Sequence, residues 1–278
     1  MKYLFRDRIP SERMLTAFVK ESSDTHPDHH DYHPHFEFYF RRTPLAQEIT
    51  LNGECLRIDT PAAVLTAPFQ IHAMSPALPC EVYERHIVYF DQRLIDAVEA
   101  LLPTDFFQKN SNCLFQMSQK EAYVLEKELP NVFDDALPER ERILAFALLL
   151  NRLDRLVEPD RRHCFGQIKT YIPRVLQHLY DNTEGTLSAE QIAALFHVSR
   201  AKLNRDFRAS VGQSLHGAVM DLRLSLAKTM LIESDLPIGE IARKCGFSSD
   251  EYFFSFFKRA TKETPLRYRR TAKENRST

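Results

Sequence analysis

The sequence predicts an α+β chain of two domains, a strand-rich front carrying appended helices and an all-helical back. Three observations predict it. Short segments rich in β-branched and aromatic residues crowd positions 32 to 90, apolar residues then recur every three to four positions, and from Gln167 to Arg270 every segment keeps that helical period. The 278 residues, 44% of them hydrophobic, suffice for two cores and argue against wholesale disorder. The expected boundaries are 1–160 and 166–278.

The opening MKYLFRDRIPSERM has no apolar core before a cleavage site, so no secretory leader is expected. The longest apolar run, LAFALLL at 144–150, is far too short to cross a bilayer, so no membrane association is expected. Five cysteines (55, 80, 113, 164, 245), an odd number with no CxxC pair, suit free buried thiols in a reducing cytoplasm.

Residues 26–35 hold five of the eleven histidines, in HPDHHDYHPH. FEFYF, EITL, CLRI, AAVLT, QIHAM and ERHIVYF follow as strands, separated by TPLAQ, LNGE and SPALP, which suggests a small barrel or sandwich. DQRLIDAVEALLP, SQKEAYVLEKEL and PERERILAFALLLNRLDRLVE read as helices. In the last, Ile143, Phe146, Ala147, Leu150, Leu153 and Leu156 form an apolar stripe that either packs on the strands or pairs with a second subunit. VEPDRRHCFG (157–166) reads as a linker.

Two segments of the back half look alike: IAALFHVSRAKLNRDFR from Ile192 and IARKCGFSSDEYFFSFFK from Ile241, the second one residue longer after its Ser. Each builds as a helix-turn-helix. In the first, Ser188 with Gln191 makes a capping box, Ile192, Leu195 and Phe196 face inward, His197-Val198 turn, and Ser199 caps a second helix with Leu203 and Phe207 inside. In the second, Ile238, Ile241 and Cys245 face inward, Gly246 turns, Ser248 or Ser249 caps, and Phe253 and Phe257 point in. Between them SLHGAVMDLRLSLAKTMLIES reads as a helix of about 18 residues, roughly 27 Å long, with Leu215, Val219, Leu222, Leu226 and Met230 as its buried stripe. Charge divides along the same line: residues 181–278 hold 16 Lys and Arg against 12 Asp and Glu, and the first 180 hold 21 against 26. A basic back half fits a polyanionic partner.

TLSAEQIAALFHVSRAKLNRDFRASVGQSL and RLSLAKTMLIESDLPIGEIARKCGFSSDEYFFSFFKRATKETPLRYRR together resemble the DNA-binding domain of the AraC/XylS family of bacterial transcription regulators, over about 100 residues. The resemblance implies a cupin-like, effector-sensing β-barrel in front, helices after it that commonly dimerise, a bipartite duplex promoter site, RNA polymerase as a partner, and activation. It implies that the second helix of each motif enters a major groove, which assigns base reading to Arg200, Ala201, Asn204 and Arg205 in the first. Arg205 would grip guanine O6/N7 and Asn204 an adenine edge. The second departs from the family, presenting Asp250, Glu251, Phe254 and Ser255, neutral to acidic, and is expected to read less. Arg208, Lys258, Arg259, Lys262 and Arg267 are assigned to phosphates, with Arg269 and Arg270 as further candidates and a solvated basic tail as the alternative for Arg267, Arg269 and Arg270. Lys262 stands where the family usually has Gly, so slight strain is expected there.

The histidine-rich stretch admits two readings. His33, His35 and Glu37, on one face of a strand, would join His72 as a loose likeness of a cupin metal set, making a metal-dependent cupin enzyme the alternative. The simpler reading has His26, His29 and His30 in a mobile arm and His33, His35, Glu37, Tyr39, Arg41 and His72 lining an effector pocket, with no metal, no cofactor and no catalysis. A third possibility is a regulator of the same family that answers to a partner protein or to its own abundance.

Overall fold

A computed structural model describes residues 2–5, 13–22, 29–77, 83–166, 171–183, 185 and 188–276. His26, the Leu78–Glu81 end of the SPALP turn and Cys80 lie outside the described residues, whereas His29 and His30, expected in a mobile arm, open a β-strand. The chain divides into two compact units, the first running to residue 170 and the second from 171, with residues 3–5 grouped with the second.

β1 (Lys2–Phe5) opens the chain. The first unit then holds β2 (Leu15–Ser22), β3 (His29–Tyr32), β4 (Phe36–Arg41), β5 (Gln47–Leu51), β6 (Glu54–Ile58), β7 (Ala62–Thr66), β8 (His72–Pro76) and β9 (Tyr83–Phe90). After these come α1 (Gln92–Val98), α2 (Phe106–Asn110), β10 (Cys113–Gln116), α3 (Gln119–Glu126), α4 (Leu129–Phe133), α5 (Glu139–Leu156) and β11 (Arg162–Cys164). One antiparallel sheet runs β11-β10-β7-β4-β9-β2, and a second contains β3-β8-β5-β6. Among the described residues there is no closed barrel, because β2, β6 and β11 each pair on one side only.

β4 is the central strand, pairing Phe38 with Leu65 of β7 and with Val88 of β9. The period of two decides its faces. Phe38 and Phe40 enter a core with Phe90 and Phe146, every one fully buried, each such ring contributing about 1.5–3 kcal/mol. Glu37, Tyr39 and Arg41 take the opposite face and are also buried. The apolar stripe of α5 lies in that same Phe core: Phe146, Ala147, Leu150 and Leu153 are buried, with Ile143 and Leu156 partly so. The chain's own sheet covers it, which decides between the two readings of that stripe in favour of packing on the strands.

Two further expectations change. VEPDRRHCFG is no free linker, since it forms a 3-10 turn at Pro159–Arg161 and then β11. The cysteines are not all thiols. The β10–β11 register sets Cys113 opposite Cys164, and the two form a disulfide. Pairing across 51 residues leaves no spacing signal in the sequence. Cys245 is a buried free thiol, while Cys55 is free but exposed.

The second unit is helical: α6 (Ile172–Asp181), α7 (Ala189–Leu195), α8 (Arg200–Val211), α9 (Leu215–Glu233), α10 (Ile238–Lys244), α11 (Asp250–Thr261) and α12 (Pro265–Arg276). α9 packs on α6 and α8 and also on α10 and α12. Burial therefore spreads around it to Leu215, Ala218, Met220, Leu222, Ala227 and Leu231, in place of the single stripe expected.

Candidate nucleic-acid interface

The short helix α7 is set by its cap: Ser188 Oγ accepts from the Gln191 amide at 3.2 Å, and Gln191 Oε1 accepts from the Ser188 amide at 2.8 Å. Ile192 and Ala193 are buried and Phe196 is half-buried. Leu195, expected inside, is 52% exposed. At about 100° per residue, positions 192, 193 and 196 share a face that excludes 195. The turn closes through the Val198 amide, which donates to the Ala193 carbonyl at 2.9 Å, with His197 in the left-handed region at φ 54°. Ser199 then caps α8 by accepting from the Lys202 amide.

α8 is two-faced. Leu203, Phe207 and Val211, four residues apart, are fully buried. Arg200, Ala201, Asn204, Arg205 and Arg208 are all exposed. Arg200, Asn204 and Arg208 form one ridge along the helix, with Ala201 and Arg205 beside it. Arg200, Asn204, Arg205 and Arg208 line an open cleft together with His216 and Arg223 of α9. Those two, seven residues apart on a helix read only as a spacer, were missed. Their signal was the polar, basic side of LHGAVMDLR. Not all of this charge is free: Arg200 pairs with Glu190 of α7 at 2.7 Å, and Arg205 lies 3.5 Å from Asp206.

α10 and α11 repeat the arrangement. The Phe247 amide donates to the Ala242 carbonyl at 3.0 Å, and Gly246 takes the left-handed place of His197 at φ 75°. A Cβ there would lie 2.8 Å from the Arg223 guanidinium and 2.9 Å from the Thr183 carbonyl oxygen, so the position is closed to any side chain. Ser249 is the capping serine. The extra residue of the second copy thus falls in the turn before the cap, not after it. Phe253 and Phe257 are fully buried, and Asp250, Glu251, Phe254 and Ser255 are exposed. The Ser255 hydroxyl donates to the Tyr252 carbonyl at 3.0 Å. Lys258, Arg259, Lys262 and Arg267 are exposed, with Arg259 over the Phe256 ring and Arg267 3.9 Å from Glu263. Arg269 is different: it is half-buried and donates to the Leu236 carbonyl at 2.6 Å, bracing α12.

The expected effector residues fall into two buried clusters of the first unit. Arg41 donates to Gln47 at 2.9 Å and to the Thr43 and Thr60 carbonyls, and Gln47 donates to the Tyr39 hydroxyl at 2.7 Å. Burial pushes the Tyr39 hydroxyl pKa up and the Arg41 guanidinium pKa down. The other cluster joins His33, Glu37 and His72. His33 and His35 precede β4 instead of lying on it, so the shared strand face expected for 33, 35 and 37 does not exist. His33 nevertheless reaches Glu37 at 2.9 Å, and His72 arrives from the second sheet at 3.1 Å. His35 stacks 6.4 Å from the His33 ring. Burial opposes charge on Glu37, but the charge of His72 and hydrogen bonds from both imidazoles outweigh it and hold the carboxyl well below its usual range. Burial lowers the His33 pKa, whereas at His72 the attraction of Glu37 overcomes burial and raises it.

A family model described as a helix-turn-helix domain matches residues 192–271. The xylose operon regulatory protein of Escherichia coli (strain K12) is 35% identical over 83 residues, 30% of this chain and 21% of that protein. The HTH-type transcriptional regulator MtrA of Neisseria gonorrhoeae is 31% identical over 96 residues, 34% of this chain and 32% of that one. The chain thus spans about a fifth to a third of the length of these relatives. An apo point variant of ToxT from Vibrio cholerae shares the fold at a TM-score of 0.55 and 13% identity, over 93% of this chain and 97% of ToxT. ToxT has also been solved with an unsaturated fatty acid bound. The matched helix-turn-helix domain lies in the segment that carries both motifs, and over that segment the chain is similar to bacterial transcription regulators.

Proposed function

We propose that the chain is a sequence-specific DNA-binding transcription regulator, an activator, with a cupin-like effector domain at residues 1–160 and a tandem helix-turn-helix domain at 166–278. One observation carries the reading. α8 buries Leu203, Phe207 and Val211 and turns Arg200, Asn204, Arg205 and Arg208 outward along one capped helix, the arrangement a recognition helix needs in a major groove. Arg205 and Asn204 read base edges with Arg200 and Ala201 beside them, while Arg208, Lys258, Arg259, Lys262 and Arg267 hold phosphates. Asp250, Glu251, Phe254 and Ser255 face a second groove and contribute less, because two carboxylates near phosphates oppose binding. The 19 residues of α9 span about 28 Å, close to the roughly 34 Å between successive major grooves.

The front domain takes a small organic effector. Its buried mixture of apolar side chains with Tyr39, Arg41 and Glu37 supports this, and so does the likeness of fold to ToxT with its bound fatty acid. The effector alters promoter occupancy in a cytoplasmic homodimer that engages RNA polymerase. Leu144 and Leu148, exposed one turn apart on the outer side of α5, support pairing of two chains.

The test is selection of randomised duplex DNA by the full chain, followed by sequencing. Two recurring blocks about one helical turn apart, the first lost on Arg205→Ala, support the bipartite reading. No enrichment at low salt overturns it.

A further inference from the structure

Of the His33, Glu37 and His72 cluster the effector reading uses only Glu37, and the hydrogen-bond accounting of the three together is incomplete. The three side chains are 1%, 4% and 3% exposed, and their ligand-capable atoms all lie within 4.8 Å of one another. His33 Nδ1 sits 2.8 Å from the His35 carbonyl oxygen, and His72 Nδ1 sits 3.0 Å from that of Gln70. A carbonyl only accepts, so each Nδ1 carries a proton. Each Nε2 then faces Glu37 Oε2, at 2.9 and 3.1 Å. In neutral rings both Nε2 atoms are lone pairs, and they point at a third lone pair on the carboxylate. Added protons, on the rings or on the Glu37 carboxyl, would resolve this, and so would one cation shared by all three atoms.

We propose that His33, Glu37 and His72 bind a divalent first-row transition-metal ion of the zinc or iron(II) class. Two imidazoles and one carboxylate are the donor set such borderline ions prefer, whereas calcium and magnesium take all-oxygen sets. Neighbouring ligands at about 2.0–2.1 Å from one ion sit roughly 2.8–3.4 Å apart across a coordination polyhedron, which spans the 2.9 and 3.1 Å separations of Glu37 Oε2 from the two rings. Hydrogen bonds from Nδ1 to backbone carbonyls are the outer contacts that fix the tautomer and ring orientation of a metal-ligating histidine. Edge contact with Tyr89, 4.7 Å between ring centroids, holds His33 further. The ligands come from the β3–β4 connection, β4 and the start of β8, so an ion there ties one sheet to the other. Three protein ligands leave coordination positions open to water or to an anionic group.

The experiment uses the full chain, stripped with a chelator, reloaded with zinc, gel-filtered and submitted to elemental analysis. Cobalt(II) substitution gives a visible spectrum of nitrogen and oxygen coordination. One ion per chain and a raised unfolding midpoint on loading are expected. Glu37→Gln and His72→Gln are each expected to weaken binding at least tenfold. Should Glu37→Gln fail to fold, His72→Gln carries the comparison. A triple His26, His29 and His30→Ala variant is expected to keep the ion. The proposal is overturned if reloaded wild type holds none, if His72→Gln keeps the wild-type spectrum and affinity, or if the triple variant loses the ion, which would place it on those three histidines. DNA binding is read separately, so failure here leaves the DNA reading untouched.

Discussion

Gly212 and Lys262 hold the same place in the two halves of the helical unit. Each ends its outer helix in the left-handed region, at φ/ψ of 74°/0° and 68°/3°. Each donates its amide, at 2.9 Å, to the carbonyl four residues back. Glycine adopts this conformation freely, whereas a residue with a Cβ incurs about 1–2 kcal/mol. Lys262→Gly is therefore expected to raise the unfolding midpoint of the helical unit, by about 1 kcal/mol of stability. It also removes a proposed phosphate contact, so DNA affinity should fall and the slope of log affinity on log salt should flatten by about one. Thermal melts and a binding series in salt check the two halves, and a lower midpoint would refute the strain.

How far such relationships can be read from sequence depends on their range. Ser188, Ser199, Leu203 and Phe207 were legible because caps and i,i+4 burial are local rules. Leu195 was misplaced because a seven-residue helix has room for only one narrow inner face. Only the likeness to a cupin set put His72 beside Glu37: spacing pairs His33 with Glu37, and it is the β3–β8 register that carries His72 to them. β10 and β11, with four and three residues, carry too little pattern to be read at all.

The Arg200–Glu190 pair makes the two outward arginines unequal. Arg205, 72% exposed at its side chain and bound loosely to Asp206, is expected to cost about 1–3 kcal/mol of binding and to relax one base position on substitution with alanine. Arg200→Ala should cost less, because binding must first break its 2.7 Å pair with Glu190. Glu190→Gln should tighten binding most at low salt. Equal losses at positions 200 and 205 would show that the pair does not restrain Arg200.

Asp250 and Glu251 face two opposing demands. In the first turn of α11 each carboxylate favours the helix by about 0.3–1 kcal/mol, through the partial positive charge of the helix N-terminus. Toward DNA the same charges repel phosphate. The double Asp250→Asn, Glu251→Gln variant is thus expected to melt lower and yet bind non-specific duplex more tightly. A parallel drop in stability and affinity would mean that this helix does not approach the backbone.

Glu121 offers a pH test confined to the first unit. Its carboxylate accepts from Arg161 at 2.6 and 2.8 Å and from the Ser118 amide at 2.8 Å. Arg161, before the Ser118 cap, draws its pKa down from 4.5 to about 2. The folded chain therefore holds this proton less readily than the unfolded one, and the stabilisation is complete above the unfolded value and lost as pH falls toward the folded one. The stability gap between wild type and Glu121→Gln should be flat above about pH 5.5 and shrink between about pH 4.5 and 2. A gap that widens on acidification would exclude the Arg161 pairing as its source.

The Cys113–Cys164 disulfide gives the first unit a redox dependence that free thiols would not. Cys113 is fully buried, whereas Cys164 is exposed at the edge of the sheet, so reductant has access to one sulfur. The bond closes a loop of 51 residues in sequence that contains α3, α4 and α5, for which chain-entropy arguments give about 4 kcal/mol. Dithiothreitol should lower the unfolding midpoint of the wild-type chain. Cys164→Ser should match the reduced midpoint and no longer respond to reductant. Because α5 carries Phe146 and Leu150 into the core against β4, the loss should appear as cooperative unfolding of the first unit, leaving the helical unit's transition in place. Thiol counting on freshly lysed and on purified protein, read beside the melts, shows which form the cell maintains. An unchanged midpoint in the reduced chain would mean that the β10–β11 hydrogen bonds alone hold this edge.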